Sequence, residues 1–310
     1  MYFSGPGVEV NPLFPLLVAF LVSALTAPAG VSGAFLLLPF QVSVLGFTSP
    51  AVSPTNLIYN VIAAPGGVYR FVREQRVVWP LAVVVIVGTL PGVFVGAVLR
   101  VTYLSDPGAF KVFVGLVLLY LGTRLLYEVV ARLRSGGPWG DVRPGDAALE
   151  IVRVSLWRVR YKFGEKQHTF SIPAVFLLSL VVGVIGGIYS IGGGSIIAPF
   201  LVSVFGLPVY TVAGATMIGT FITSVSGAAF YEILAATPLG EQVSVAPDWP
   251  LGIVLGVGGL AGTYAGARLQ RFIPDFWIRA ILGVLVTLLA LRYLICSPIS
   301  ENKPSRILGE

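Results

Sequence analysis

The sequence predicts an all-α polytopic membrane protein built from two repeats, and three observations support this fold class. Of the 310 residues, 56% are hydrophobic and 11% are charged, whereas a soluble domain carries about 25% charged residues. Several apolar stretches, among them residues 77–101 and 276–296, approach or exceed the roughly 20 residues that a membrane-spanning helix needs. Finally, the two halves of the chain carry the same unusual residues at matching positions.

This duplication extends over most of both halves. Residues 31–46 align without gaps with residues 191–206, and residues 79–81 and 249–251 both read Trp-Pro-Leu. Three glycines spaced by four residues also recur in register, namely Gly88, Gly92 and Gly96 in the first half and Gly258, Gly262 and Gly266 in the second. Because small residues let membrane helices approach closely, we interpret these glycines as packing faces.

Charges in the loops predict the orientation of the two repeats in the membrane. Arg70, Arg73 and Arg76 mark a cytoplasmic loop in the first half, because basic loops stay on the cytoplasmic side. The corresponding loop of the second half is acidic, with Glu232 and Asp248, and contains no base. The reversed sign predicts that the repeats are inverted.

Inverted repeats need an odd number of crossings each, yet each half shows four apolar blocks. The first block of each half is interrupted by small residues. Residues 13–27 would form a helix of about 22 Å and residues 34–46 a shorter one, so neither comfortably spans about 30 Å of hydrocarbon. We therefore expect each interrupted block to form a broken or re-entrant hairpin, followed by three transmembrane helices. One kinked span per block, giving eight spans and parallel repeats, is the open alternative.

The chain divides into four predicted parts. Residues 1–131 form the N-terminal membrane repeat and residues 172–298 the C-terminal one. A basic cytoplasmic insert, residues 132–171, separates them, and a polar tail follows at residues 299–310. Within the insert, residues 150–163 roughly alternate in polarity, which is the period of a strand. We predict that this stretch is one strand and that residues 164–167 turn it into a second strand at residues 168–172, which gives a small cytoplasmic β-hairpin; a solvated connector is the alternative.

The interrupted blocks are the expected binding site, because broken segments at matching positions of two repeats mark the binding sites of transporters. The piece after each break presents a helix N-terminus, which carries partial positive charge and N–H groups. Two such ends that face each other would bind an anion. The candidate substrate-binding residues at the breaks are Ser32, Gly33 and Ala34 in the first half, and Tyr189, Gly192, Gly193, Gly194 and Ser195 in the second.

The span after each broken block adds polar side chains. Asn56 aligns with Thr216, and Asn60 aligns with Thr220. Since residues four apart share one face of a helix, we expect each pair to line the same cavity and to bind substrate. Hydrogen bonding between helices is the alternative role for such residues.

The spans carry little formal charge. No acidic residue lies deep in a span, and we expect the bases to lie near span ends, where a charge reaches the interface at little cost. These bases are Arg100, Lys111, Arg124, Arg268, Arg279 and Arg292. An anionic or neutral solute is therefore favoured. With one cysteine and one histidine, the sequence offers no candidate metal centre, and we expect no cofactor and no enzymatic activity.

One motif resembles a known family. Residues 187–201 read Gly-Ile-Tyr-Ser-Ile-Gly-Gly-Gly-Ser-Ile-Ile-Ala-Pro-Phe-Leu, and residues 212–216 read Val-Ala-Gly-Ala-Thr. This pattern resembles the sulfite exporter TauE/SafE family, also called the toluene sulfonate uptake permease family. The resemblance covers residues 13–128 and 172–296. The first half departs from the pattern, since Ser32-Gly33-Ala34 stands where the second half has its glycine triplet.

The resemblance implies the movement of sulfur-containing anions such as sulfite, sulfoacetate and other organosulfonates, often by export. We therefore predict a secondary transporter of such anions, working by alternating access at the repeat interface in the plasma membrane of a prokaryote. Its expected partners are the anionic solute and the lipid bilayer, with no nucleic acid, and a homodimer is an open alternative. A small-anion channel is the competing function, and it would show a continuous pore. An intramembrane enzyme and a non-transporting receptor are further alternatives.

Overall fold

The computed structural model describes residues 1–29, 31–135, 149–238, 240, 245–269 and 275–296, most of which are helical. The predicted polar tail lies outside the described residues. The helices are α1 (Leu13–Thr26), α2 (Ala34–Ser43), α3 (Val52–Arg73), α4 (Trp79–Thr102), α5 (Pro107–Ser135), α6 (Ile172–Tyr189), α7 (Gly193–Ser203), α8 (Val209–Ala235), α9 (Trp249–Leu269) and α10 (Asp275–Cys296). The strands are β1 (Tyr2–Phe3), β2 (Val8–Glu9), β3 (Leu149–Val154), β4 (Arg158–Phe163) and β5 (Lys166–Ser171).

The helices have the lengths and surfaces of a membrane protein. Within the described part of the chain, five helices are long and apolar enough to cross a bilayer, namely α4, α5, α6, α8 and α9. Their outer faces are apolar and exposed: Val83 and Val87 on α4, and Leu177 and Val181 on α6, each expose more than half of the side chain. Such faces suit contact with lipid tails. The predicted all-α polytopic membrane fold is confirmed at this level.

The glycine triplets lie where two helices touch, as the sequence analysis predicts. A Cβ atom added to Gly92 of α4 would lie 2.4 Å from the carbonyl oxygen of Leu180 in α6. In the same way, a Cβ atom on Gly262 of α9 would lie 2.3 Å from the carbonyl oxygen of Phe20 in α1. Only glycine permits such approaches. Helix α9 is the counterpart of α4, and α1 is the counterpart of α6, so the α4–α6 and α9–α1 contacts are equivalent. The inverted relation of the repeats stays a prediction.

The remaining helices complete this arrangement. Helices α3 and α8 pack against each other, and each also contacts the glycine-bearing helix of the other half, α9 and α4 respectively. Helices α5 and α10 form a further pair. The short helices α2 and α7 pack against α3 and α8. The breaks that precede α2 and α7 therefore lie against α3 and α8 inside the protein.

The predicted β-hairpin of the insert is wrong in one respect, because the described residues of the insert form three strands instead of two. Strands β3, β4 and β5 form an antiparallel sheet in sequence order. The stretch interpreted as one strand turns at Ser155, whose N–H donates to the carbonyl of Arg158 at 3.0 Å. Exposed Leu156 and Trp157 occupy this turn. Because both residues are apolar, the rough alternation of polar and apolar residues continues through the turn, and the sequence pattern does not indicate it.

One face of this sheet packs on the start of α8. The hydroxyls of Tyr161 and Thr211 share a hydrogen bond of 2.9 Å, and the rings of Phe163 and Tyr210 stack at 5.5 Å. On the other side of Tyr210, the guanidinium carbon of Arg76 lies 3.5 Å from the ring centroid. Burial lowers the pKa of the Arg76 guanidinium below its usual value. The insert therefore contacts the helix that follows the second break.

A second small hairpin, β1–β2, lies at the start of the chain. The Asp248 carboxylate accepts a 2.7 Å hydrogen bond from the amide of Gly5 in this hairpin and a 2.9 Å bond from the amide of Leu251 in the first turn of α9. A carboxylate that accepts from the first turn stabilises a helix start. The backbone N–H of Asp248 also donates to Thr55 Oγ1 at 2.8 Å, so the starts of α3 and α9 lie together.

Candidate functional site

The second break is a sharp reversal between α6 and α7. Ser190 has a left-handed backbone with φ of +60°, and Gly192 has φ of +77°. A Cβ atom on Gly192 would lie 2.8 Å from Ser224 Oγ and 2.9 Å from Thr220 Cγ2. Glycine is therefore required here both by the backbone conformation and by the neighbouring helix α8.

The first break leads from α1 through a 3-10 turn, Ala27–Ala29, into α2. Ser32 Oγ accepts a 3.2 Å hydrogen bond from the N–H of Ala34, the first residue of α2. Ser32 is one of the candidate substrate-binding residues at this break. A Cβ atom on Gly33 would lie 2.6 Å from the Tyr59 hydroxyl, which shares a 2.7 Å hydrogen bond with Ser23. Gly33 thus allows α2 to begin directly beside α1 and α3.

Two asparagines of α3 contact both breaks. Asn56 Nδ2 donates to the carbonyl of Ala34 at 3.1 Å and to the carbonyl of Ser190 at 2.9 Å. One helical turn further on, Asn60 Nδ2 donates to the carbonyl of Ile191 at 2.9 Å, and Asn60 Oδ1 accepts a hydrogen bond from Ser32 Oγ. The asparagines predicted to share one face therefore join the two interrupted segments.

Two further contacts hold the breaks together. Tyr189, the last residue of α6, donates its hydroxyl to the carbonyl of Phe35 in α2 at 2.7 Å. Gln41 Nε2, in the last turn of α2, donates to Asn56 Oδ1 at 3.1 Å. Sequence analysis includes Tyr189 among the candidates but misses Gln41. The signal for Gln41 was its isolated amide within an otherwise apolar stretch.

The threonines of α8 behave differently from the asparagines they align with. Thr216 Oγ1 donates to the carbonyl of Val212 at 3.1 Å, and Thr220 Oγ1 donates to the carbonyl of Thr216 at 3.0 Å, both within α8. Instead, the backbone of α8 approaches the second break. A Cβ atom on Gly194 would lie 1.9 Å from the carbonyl oxygen of Thr216. A short hydroxyl satisfies its own helix, whereas an asparagine amide reaches the neighbouring segment.

The start of α7 is also held by α8. The N–H of Gly193 donates to Thr223 Oγ1 at 3.1 Å, which satisfies one of the donors that a helix start leaves without an intrahelical partner. A Cβ atom on Gly193 would lie 2.6 Å from Thr89 Cβ of α4. Ser195 lies in the first turn of α7, and its side chain is not among those that the structure describes.

The whole region is buried and uncharged. Asn56, Asn60, Tyr189 and Thr216 are fully buried, and Ser32 exposes 4% of its surface. Two buried polar atoms at the breaks, Gln41 Oε1 and Ser224 Oγ, have no hydrogen-bond partner among the described residues. Buried polar groups are normally paired, so these two atoms are exceptions within the buried region. The breaks are closed to the exterior in this conformation.

The structure corrects the expected placement of one base. Sequence analysis places Arg100 near a span end with its charge at the interface, and this is wrong because the side chain is fully buried. Its Nε donates to Ser53 Oγ at 3.2 Å, and its guanidinium carbon lies 3.7 Å from the ring centroid of Phe110. The last turn of α4 is covered by α3 and α5, which the sequence position alone does not reveal.

Comparison with known proteins identifies the chain's relatives. The family model described as "Sulfite exporter TauE/SafE" matches residues 15–293. The chain is also 24% identical over 156 residues to a Bacillus subtilis (strain 168) protein named "Probable membrane transporter protein YunE". That alignment covers 50% of this chain and 51% of the relative, so the chain spans about half the length of this relative. No solved structure matches the chain. The family match covers both halves and both breaks, and the chain belongs to the sulfite exporter TauE/SafE family, a family of membrane transporters.

Proposed function

We propose that this protein is a secondary transporter of small sulfur-containing anions, such as sulfite, sulfoacetate or other organosulfonates, in the plasma membrane of a prokaryote. The observation that carries the proposal is the pair Asn56 and Asn60, whose amides contact both breaks at once. Broken segments that meet at the interface of two repeats are typical of transporter binding sites. Membership of the family supports sulfur oxyanions as the substrate class.

Three of the four helices that flank the breaks are too short to span the membrane alone, whereas α6, with 18 residues, is long and apolar enough to do so. Helix α1 has 14 residues, α2 has 10 and α7 has 11. At 1.5 Å per residue these helices measure roughly 21, 15 and 17 Å, each well short of about 30 Å of hydrocarbon. We infer that each broken pair enters the membrane and returns, so that both breaks lie inside the bilayer. The exchange of helix pairings between the halves agrees with two structurally equivalent repeats.

The chemistry of the breaks suits an anion. Two helix N-termini, those of α2 and α7, supply partial positive charge. The amides of Asn56 and Asn60 add N–H donors, which in the closed form bind the carbonyls of Ala34, Ser190 and Ile191. Separation of the breaks would free these donors for an oxyanion. The cost of exposing the carbonyls would then be offset by binding of the solute.

The same contacts support the proposal of alternating access. Each break is held by residues of the other half, since Asn60 binds Ile191 and Tyr189 binds Phe35. Release of these bonds on one side opens the site to that side only. The closed packing of the breaks disfavours a permanently open channel, because a channel needs a continuous pore.

Binding and uptake measurements test the proposal. Purified protein is heated with sulfite, thiosulfate, sulfate, sulfoacetate, taurine or chloride, and the unfolding midpoint is recorded. A ligand that binds only the folded state raises the midpoint with concentration. The same anions are then loaded into proteoliposomes, and counterflow is measured. We expect stabilisation and counterflow with at least one sulfur oxyanion or sulfonate, and a lack of response to all of these anions would overturn the proposal.

A further inference from the structure

Arg100 is an unusual residue for the interior of a membrane protein. Its guanidinium is fully buried between α3, α4 and α5. One amino group donates to the carbonyl of Leu104, and Nε donates to Ser53. The remaining amino nitrogen, Nη2, is buried and has no hydrogen-bond partner among the described residues. A planar cation with one unoccupied donor group is thereby held in a fixed orientation.

The charge of Arg100 is also not neutralised by an ion pair among the described residues. The ion pairs recorded in that part of the chain involve Arg70, Arg76 and Arg124. A buried charge costs several kcal/mol unless it is paired. Ionisable residues inside membrane spans therefore usually mark the path of a substrate or ion. An unpaired guanidinium suits an oxyanion, to which its free amino nitrogen, Nη2, can donate a charge-assisted hydrogen bond.

The guanidinium lies next to the breaks. Its partner Ser53 stands three residues before Asn56 and seven before Asn60 on α3, so the three side chains share one helix face. Tyr231 of α8 provides a second link. The Tyr231 hydroxyl donates to the carbonyl of Gly187 at 3.4 Å, near the end of α6. It also lies close to the side chains of Ser53 and Ser190.

We propose that Arg100, with Ser53 and Tyr231, forms a second anion-binding position, from which a small oxyanion passes to the two breaks. This inference rests on the proposed function and adds a charged position to a site that is otherwise neutral. Arg100 lies in the last turn of α4, at the end of this helix opposite to the end that follows Arg70 and Arg73 of α3. In the predicted orientation, this position therefore lies toward the side of the membrane that faces away from the cytoplasm.

A purely structural role for Arg100 makes a different prediction. Its stacking on Phe110 and its bond to Leu104 also hold the turn between α4 and α5. If that were its only role, replacement would lower the thermal stability and leave anion affinity unchanged at temperatures well below unfolding. If Arg100 binds the solute, the loss of affinity depends on the charge of the anion, since a cation attracts a divalent anion more strongly.

The test compares three variants in detergent at constant ionic strength. Arg100→Gln removes the charge, and Arg100→Lys keeps the charge but loses the planar donor pair. Arg268→Gln is the matched control, because Arg268 is an exposed arginine in the last turn of α9, the counterpart of α4. Binding of sulfate, sulfite and sulfoacetate is measured by calorimetry. Tm is measured in parallel so that folding is monitored.

We expect Arg100→Gln to raise Kd about 10-fold or more for a divalent anion, because it removes a charge-assisted hydrogen bond, and to raise it less for a monovalent one. Arg100→Lys should show an intermediate loss, and Arg268→Gln should bind like the wild type. Equal Kd values for wild type and Arg100→Gln would overturn this inference while the proposed function stands. Absence of binding to the wild type itself would instead reject the proposed function and this inference with it. If Arg100→Gln does not fold, the Kd values of Arg100→Lys and the wild type are compared instead, and equal values would overturn this inference.

Discussion

Asn60 and Ile191 are 131 residues apart in the sequence, yet Asn60 Nδ2 donates a 2.9 Å hydrogen bond to the Ile191 carbonyl. The bond joins a continuous helix of the first half to the broken segment of the second. The same asparagine accepts a hydrogen bond from Ser32, at the break of its own half. One side chain therefore contacts both interrupted segments, and a change in the distance between them must break one of its bonds.

Replacement of Asn56 should abolish transport at a modest cost in stability. Asn56→Ala leaves the buried carbonyls of Ala34 and Ser190 without their amide partner. Unpaired buried groups cost about 1–3 kcal/mol in proteins, although hydrogen bonds between membrane helices average about 0.6 kcal/mol. We expect a decrease of this order in the free energy of unfolding and a loss of counterflow, measured in proteoliposomes.

Thr263 supplies the matched control for Asn56. Its hydroxyl is buried and donates to the carbonyl of Ala63 in α3 at 2.9 Å and to that of Leu260 in α9 at 3.1 Å, neither of which belongs to a break. Thr263→Val should lower stability to a similar extent and leave counterflow unchanged. If both variants lost stability and both kept transport, Asn56 would be a packing residue like any other polar residue between helices.

Much of the site could be predicted from the sequence because its signals are local. A glycine-rich interruption within an apolar stretch, and a spacing of four between Asn56 and Asn60, are visible without tertiary information. The contacts of Asn60 with Ile191 and of Tyr189 with Phe35 are not local. They depend on how two distant helices pack, which periodicity does not encode.

Arg100 shows why the rest of the site could not be predicted. Its position near the end of a span is typical of a residue whose charge reaches the interface. The burial of Arg100 depends on Phe110 in the next helix and on Ser53 in the previous one. A similar limit applies to the insert, where the alternating pattern indicated strands correctly but contained a turn at Ser155 that only the pairing of β3 with β4 reveals.

Gly194 should tolerate no side chain. In Gly194→Ala the new methyl group would lie 1.9 Å from the carbonyl oxygen of Thr216 and 2.6 Å from the N–H nitrogen of Thr220. Both neighbours are backbone atoms of α8, so α7 would have to move away. Forced repacking of this kind typically costs about 1–3 kcal/mol, and we expect lower yield of folded protein, a lower Tm and no counterflow.

Gly115→Ala is the comparison for this variant. Gly115 lies within α5, and its nearest neighbours are side-chain atoms of Leu294 at 3.1 Å, which can shift. Alanine is favoured over glycine within helices by about 1 kcal/mol, so this change should leave Tm and transport near the wild-type values. Wild-type activity in Gly194→Ala would show that α7 does not need its close contact with α8.

Tyr189 should stabilise the closed form through a single bond. Tyr189→Phe removes the hydroxyl that donates to the carbonyl of Phe35 at 2.7 Å, which should cost about 0.5–1.5 kcal/mol. Because the bond joins α6 to α2, its loss should favour opening. The expected result is faster reaction of a cysteine introduced at Ser32 with a water-soluble thiol reagent, compared with the same cysteine in the wild-type background.

A tyrosine on the lipid-facing surface controls for this experiment. Tyr264 of α9 exposes 43% of its surface, and Tyr264→Phe should leave the reaction rate of the introduced cysteine unchanged. Equal rates in the Tyr189 and Tyr264 variants would mean that the Tyr189 hydroxyl does not influence the opening of the breaks.

The attachment of the insert should depend on pH through Tyr161. Burial raises the pKa of Tyr161 from 10.0 to about 12, and its hydrogen bond with Thr211 only partly opposes this. The folded state therefore favours the protonated phenol. A group whose pKa is higher in the folded state contributes stability that is complete below the unfolded-state pKa and is lost as the pH rises through the folded-state value. The stability that Tyr161 contributes should thus be present below pH 10 and decline between pH 10 and pH 12.

Tyr161→Phe separates this effect from general alkaline unfolding. At pH 8 the variant should have a lower Tm than the wild type, because it lacks the hydrogen bond with Thr211, which is worth about 0.5–1.5 kcal/mol. As the pH increases from 10 to 11, the wild type should lose this advantage, since its unfolded state releases the phenol proton and the phenylalanine variant has none to release. Tyr103→Phe, which alters a side chain that is 77% exposed, should match the wild-type Tm at pH 8. A difference between wild type and Tyr161→Phe that stayed constant up to pH 11 would show that the phenol does not titrate with unfolding of the sheet.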